Sequence, residues 1–149
     1  MKARLNLILF AAVLFVLPAF AADEPLTIAF DAFRVTTGED GKESLTPAKT
    51  AYPGDTIEYV AVYSNSGNET LNNTQPVIPV PRGMKVDMKT VKPDAADGSI
   101  DGVVFSPLPL KESDGKEVSH DQIRALRWHL PRLSPGESEE ITFRVEVDS

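Results

Sequence analysis

Two segments far apart in the chain constrain its fold more than any others. One is Ala51-Tyr52-Pro53-Gly54-Asp55-Thr56-Ile57-Glu58-Tyr59; the other is Leu133-Ser134-Pro135-Gly136-Glu137 leading into Ile141-Thr142-Phe143-Arg144-Val145-Glu146-Val147. In each, proline presets φ at the first central turn position and glycine supplies the positive φ that a type II turn needs at the second. A strand then follows. Ile141, Phe143, Val145 and Val147 point to one face, Thr142, Arg144 and Glu146 to the other; Leu126, Trp128 and Leu130 alternate likewise with Arg127 and His129. That period of two is a strand signal and does not fit a helix. From residue 22 onward no run of about 12 residues carries apolar groups at helical spacing, which removes support for α/β and α+β folds.

The rest of the chain reads as further short strands. Ile57, Tyr59, Ala61 and Tyr63 line one face while Val60 and Val62 line the other, the two-sided composition of a central strand. Leu26, Ile28 and Phe30 point one way and Phe33 and Val35 the other, so a bulge or a switch between sheets is expected near Asp31 and Ala32. Leu71 to Val80 contains Pro76 and Pro79, which lack a ladder donor, and is expected at a sheet edge. Met84, Val86 and Met88 alternate with Lys85, Asp87 and Lys89 as in a half-buried strand. Asp94 to Gly102 reads as a polar loop and Val103, Val104 and Phe105 as a short strand. The expected fold is all-β, an immunoglobulin-like Greek-key β-sandwich of about seven to eight strands.

Lys2 and Arg4, the apolar run from Leu5 to Leu17 and the small-residue pattern Ala19-Phe20-Ala21 have the order of a secretory signal peptide. Cleavage is expected after Ala21, giving residues 1–21 as signal and 22–149 as one domain. The apolar run is shorter than the ~20 residues of a membrane span, and no later segment is apolar enough, so no span is expected after cleavage. The expected location is the periplasm or the extracellular medium. The chain has no cysteine, so an oxidising compartment contributes no staple and the core alone holds the fold. About 128 residues suffice for that. Losing Lys2 and Arg4 takes the net charge from −7 to about −9, which disfavours nucleic acid and anionic membranes as partners.

Catalytic chemistry finds little support. His120 and His129 are the only histidines, Gly-x-Ser-x-Gly is absent and there is no thiol, so no nucleophile motif is present and two solvated histidines are expected. His120, His129, Met84 and Met88 are the soft donors a copper ion would use, but they are not clustered in sequence, and the methionines read as core. Asp94, Asp97 and Asp101, in a glycine-containing loop, are the candidate metal ligands, with oxygen donors that suit calcium, although their spacing is not that of an EF-hand. No cofactor is expected. Lys49, Glu58 and Asn65 are the residue types of a lysine–asparagine isopeptide staple. Trp128 reads as core; Tyr59 and Tyr63, if exposed together, would form an adhesive face for a partner or glycan.

The ordered set Pro53-Gly54-Asp55-Thr56-Ile57-Glu58-Tyr59, Tyr63-Ser64-Asn65-Ser66-Gly67, Pro81-Arg82-Gly83-Met84, Leu126-Arg127-Trp128-His129-Leu130, Leu133-Ser134-Pro135-Gly136-Glu137 and Phe143-Arg144-Val145 resembles the bacterial domain of unknown function number eleven. This is the conserved-repeat, Ig-like domain of exported and cell-surface proteins. The resemblance spans roughly Ala48 to Val147 and implies a sandwich in an envelope setting with no catalytic residues. Many relatives are tandem repeats in long surface proteins, whereas this chain shows a single copy. The expected function is a non-enzymatic exported module that binds an envelope protein or surface polymer; the alternative is a periplasmic protein that binds a metal, calcium before copper, or a small ligand.

Overall fold

The computed structural model describes residues 25–95 and 97–148. The expected signal peptide, residues 1–21, lies outside them. The described chain is built from strands β1 (Leu26–Thr37), β2 (Glu43–Pro47), β3 (Thr56–Asn65), β4 (Leu71–Thr74), β5 (Val77–Pro79), β6 (Met84–Lys92), β7 (Asp97–Ser99), β8 (Ser106–Pro107), β9 (Ala125–Arg127), β10 (Leu130–Leu133) and β11 (Ser138–Val147). Among the described residues the only helical element is a single 3-10 turn, His120–Gln122. No helix among them is long and apolar enough to cross a membrane.

One antiparallel sheet has the order β2-β1-β3-β11-β6, a second β5-β9-β7-β8, and β4 pairs with β10. The β4–β10 pair and the β5–β9 pair share one register: Leu71 opposite Leu133, Thr74 opposite Leu130, Val77 opposite Arg127 and Pro79 opposite Ala125. The N–H of Trp128 donates to the carbonyl of Pro76 at 2.9 Å in the gap between them. The gap exists because Pro76 has no N–H to return. This interruption, with the short strands β2, β7 and β8, is why eleven strands replace the expected seven to eight. Leu71 to Val80 does form an edge, as its prolines require.

The sheets meet in one core. Ile57, Ala61, Ile141, Phe143 and Val145 from the first pack with Ile78, Leu126, Trp128 and Leu130 from the others, all nearly without exposure. The architecture is all-β and compatible with a sandwich. Trp128 donates its indole N–H to the carbonyl of Pro93 at 2.9 Å, so its polar atom is satisfied inside the core.

The two Pro-Gly turns do more than launch strands. Gly54 and Gly136 have φ of 85° and 77°, and the turns close through Asp55 N–H to Tyr52 O (3.0 Å) and Glu137 N–H to Ser134 O (2.9 Å). Because β3 and β11 are antiparallel, the turn before each strand meets the end of the other. Gly54 donates to Val147 O at 3.0 Å, Gly136 to Asn65 O at 2.8 Å, and Asn65 to Glu137 O at 3.0 Å.

Three local expectations are corrected. First, β1 has no bulge: its register against β3 runs unbroken from Leu26 opposite Asn65 to Val35 opposite Thr56. Leu26, Ile28, Phe30, Ala32 and Arg34 therefore share the face of Tyr63, Tyr59 and Ile57. Second, Val103 to Phe105 is not a strand, because the Asp101 carboxylate accepts the N–H groups of Val103 and Val104, both at 2.8 Å, and takes those donors out of any ladder. Third, the Asp94 to Gly102 segment contains the buried strand β7, whose Gly98 lets Leu108 and Leu110 approach its backbone; a Cβ there would lie 2.9 Å from Leu108 Cδ2.

β6 carries an irregularity. Thr142 pairs with Lys92 while Arg144 pairs with Asp87, so four residues of β6 oppose Phe143 alone. Thr90 fills the break: its Oγ1 accepts the Arg144 N–H at 2.8 Å and donates to Asp87 O at 2.7 Å.

Candidate functional site

The unbroken register of β1 has a consequence for the surface. Ile28 and Phe30 occupy the core-facing side of the five-stranded sheet yet remain 56% and 51% exposed. Large apolar groups on the inner face of a sheet are normally covered by the second layer. Phe30 forms one wall of a groove of about 330 Å³, whose floor and far wall are Tyr59, Tyr63, Val77, Ile78, Pro79 and Pro81, and Ile28 lies two positions along the same strand face, outside that lining. The far wall is the edge strand β5 and its continuation.

The groove is tied to the core by stacked rings. Phe30 lies 5.4 Å from Tyr59, Tyr59 lies 5.3 Å from Phe143, and Phe143 lies 6.0 Å from Trp128, centroid to centroid and all tilted. Such offset contacts hold aromatic side chains in fixed orientations. Burial raises the hydroxyl pKa of both Tyr59 and Tyr63, so both stay neutral. Tyr59 directs its hydroxyl to Met84 Sδ at 3.5 Å. The condition for an adhesive tyrosine face is not met, because Tyr63 is only 5% exposed; the exposed large apolar residues on this face are Ile28 and Phe30.

The backbone beside the groove is open as well. β2 pairs with β1 only from Phe33 to Thr37, and the N–H of Ala48 reaches the carbonyl of Ala32 at 2.8 Å. Ala32 thus aims its carbonyl away from β3. Since alternate residues of a strand present both backbone groups to the same side, Phe30, Ile28 and Leu26 also face that way, whereas Asp31, Ala29 and Thr27 face β3. From Leu26 to Phe30 that outer side has no neighbouring strand in the described sheet.

The candidate metal ligands do not converge. Asp94 is exposed on the rim of a separate cavity. Asp97 is buried, and its Oδ2 accepts from Arg127 Nε at 2.9 Å and Nη2 at 2.7 Å and lies 3.1 Å from His129 Nε2. Arg127 in turn lies over Phe105, 4.6 Å from the ring centroid. Asp101 is spent on its own loop: besides Val103 and Val104 it accepts from the Ser99 hydroxyl at 2.9 Å, and these bonds hold its carboxyl below the ordinary range. Among the described residues no group of three His, Cys, Asp or Glu is placed to hold a metal ion.

The soft donors are divided too. Met88 and His120 line a cavity of about 320 Å³ with Val91, Leu108, Leu110 and Glu117, where His120 Nε2 is 3.7 Å from Glu117 Oε1. Met84 is engaged by Tyr59, and His129, exposed as expected, faces Asp97. Lys49 is exposed, Glu58 is bonded to Arg144 at 2.7 Å, and Asn65 is buried with its amide on the carbonyls of Glu69 and Leu133, so the residues of an isopeptide staple do not meet.

Sequence reasoning missed Ile28 and Phe30 as surface residues. Their signal was present in the loss of apolar phase after Phe30, which marks where the core-facing side of β1 passes to Ala32 and Arg34. Comparisons with protein-family models, with curated proteins and with solved structures found no match to this chain.

Proposed function

We propose that this chain is a non-enzymatic, exported interaction module with an immunoglobulin-like Greek-key fold, which binds another protein of the bacterial envelope through the open face of β1. The observation that carries this reading is the position of Ile28 and Phe30: both half-exposed on the inner face of a sheet, with Phe30 walling a groove lined entirely by apolar and tyrosine side chains. A contiguous apolar patch beside a free backbone edge is a recognition surface, not a reaction site, because it gathers no acid, base or nucleophile. The export reading rests on the basic, apolar and small-residue pattern of residues 1–21, and the Greek-key reading on the two Pro-Gly turns with the family resemblance.

The test is affinity capture from crosslinked envelope extract with the wild-type protein and a Phe30→Ser variant in parallel. The reading expects a partner retained by the wild type and lost from the variant, with the variant's fold unchanged by circular dichroism. Identical capture by both proteins contradicts it.

Small-ligand binding is a second reading, favoured by the open cavity that Met88, Val91, Leu108 and Leu110 line together with Asp94, Glu117 and His120. A ligand-dependent rise in Tm that Leu110→Trp abolishes would support it over protein binding.

A further inference from the structure

We infer that the open edge of β1 is where two copies of this chain pair, strand against strand, to form a dimer with one continuous ten-stranded sheet. This inference rests on the reading above only in taking the open face of β1 as an interaction surface, and it assigns the backbone edge of that face to a second copy of the chain. An incoming strand must satisfy the outward backbone groups of Leu26, Ile28 and Phe30 and cover their side chains, so it needs apolar residues at alternate positions and few charges between them. Leu26-Thr27-Ile28-Ala29-Phe30 is itself such a strand, with no charged residue and no proline.

The slot also has a defined length and register. Ala48 already occupies the carbonyl of Ala32, so a partner can extend only over Leu26 to Phe30. A two-fold axis at Ile28 places Ile28 opposite its own copy and Phe30 opposite Leu26 of the second copy, all three pairs being of the hydrogen-bonded kind. Thr27 then faces Ala29 on the outer side, and Asp31 lies beyond the paired segment, so no like charges oppose each other across the ladder. Edge strands that remain single usually carry lysine, proline or a bulge; this half of β1 has none of these, while the β4–β5 edge has Pro76 and Pro79. The acidic charge, about −9 per chain once Lys2 and Arg4 are removed, works against association at long range, so pairing should strengthen as salt screens it.

The experiment is sedimentation equilibrium of residues 22–149 over concentrations from about 1 to 500 µM, at low and high salt, for wild type, Ile28→Pro and Phe30→Ser. The N–H of Ile28 faces outward, so proline at 28 removes a ladder donor at the dimer axis without removing a β1–β3 bond. The inference expects a wild-type monomer–dimer equilibrium that tightens with salt and weakens at least tenfold in both variants. Phe30→Ser provides the same readout without a backbone constraint. Wild-type protein that stays monomeric throughout overturns the inference, as does a dimer indifferent to both substitutions. A monomer whose partner capture still depends on Phe30 overturns the dimer and leaves the interaction reading standing; a monomer whose capture is indifferent to Phe30 overturns both.

Discussion

Asn65 donates its side-chain amide to the carbonyl of Leu133 at 2.9 Å, across 68 positions of sequence. The same amide donates to Glu69 O at 2.7 Å, and its Oδ1 accepts the N–H of Gly67 at 3.0 Å. One buried side chain thus ties the end of β3, the turn after it and the end of β10 together. Asn65→Ala leaves two carbonyls and one N–H without partners in a site 1% exposed, and should lower stability by about 2 to 4 kcal/mol in urea unfolding. A loss below about 0.5 kcal/mol would show that water replaces these bonds freely.

Asp97 and Arg127 hold β7 against β9. The Asp97 side chain is 10% exposed and that of Arg127 26%, so the pair is partly screened and falls between surface and core ion pairs. Asp97→Asn and Arg127→Met should each cost about 2 kcal/mol by chemical denaturation, and the double variant less than the sum. Strict additivity would contradict the coupling. Addition of calcium should leave Tm unchanged in the wild type, because Arg127 and His129 already claim the Asp97 carboxylate.

Stability should fall with acid. The Glu137 carboxyl, accepting the Ser134 N–H at 2.7 Å, and the Asp101 carboxyl, accepting two backbone N–H groups, are both held below their ordinary range. Depressed folded values mean that the unfolded chain takes up protons first, so their contribution is present above the ordinary carboxylate range and is lost as pH falls through the folded values. The urea midpoint is expected to decline from about pH 4.5 downward, and Glu137→Gln should flatten part of that decline. An identical acid slope in wild type and variant would remove Glu137 from the account.

The strands legible in the sequence are those with one face buried in the core and the other turned to solvent. Leu126, Trp128 and Leu130, and likewise Ile141, Phe143 and Val145, alternate with polar neighbours because only one face of each strand meets the core, and all six are nearly inaccessible. β1 departs from this pattern because its apolar phase does not record burial. Ile28 and Phe30 keep the right phase without the burial, while Ala32 and Arg34 keep the right face without the hydrophobicity. Val103 to Phe105 had strand composition, but a carboxylate two residues before it captured the donors. Asp97 resembled a loop ligand because nothing in a single sequence marks a partner 30 positions away.

The most direct test of the open edge is site-resolved amide hydrogen exchange of the dilute protein. The amides of Ile28 and Phe30 should exchange quickly while those of Ala29 and Asp31, directed at β3, are protected, giving an alternation along one strand. Equal protection at all four positions in dilute solution would show that the edge of β1 is already covered within the monomer, and would contradict both the groove and the dimer built on it.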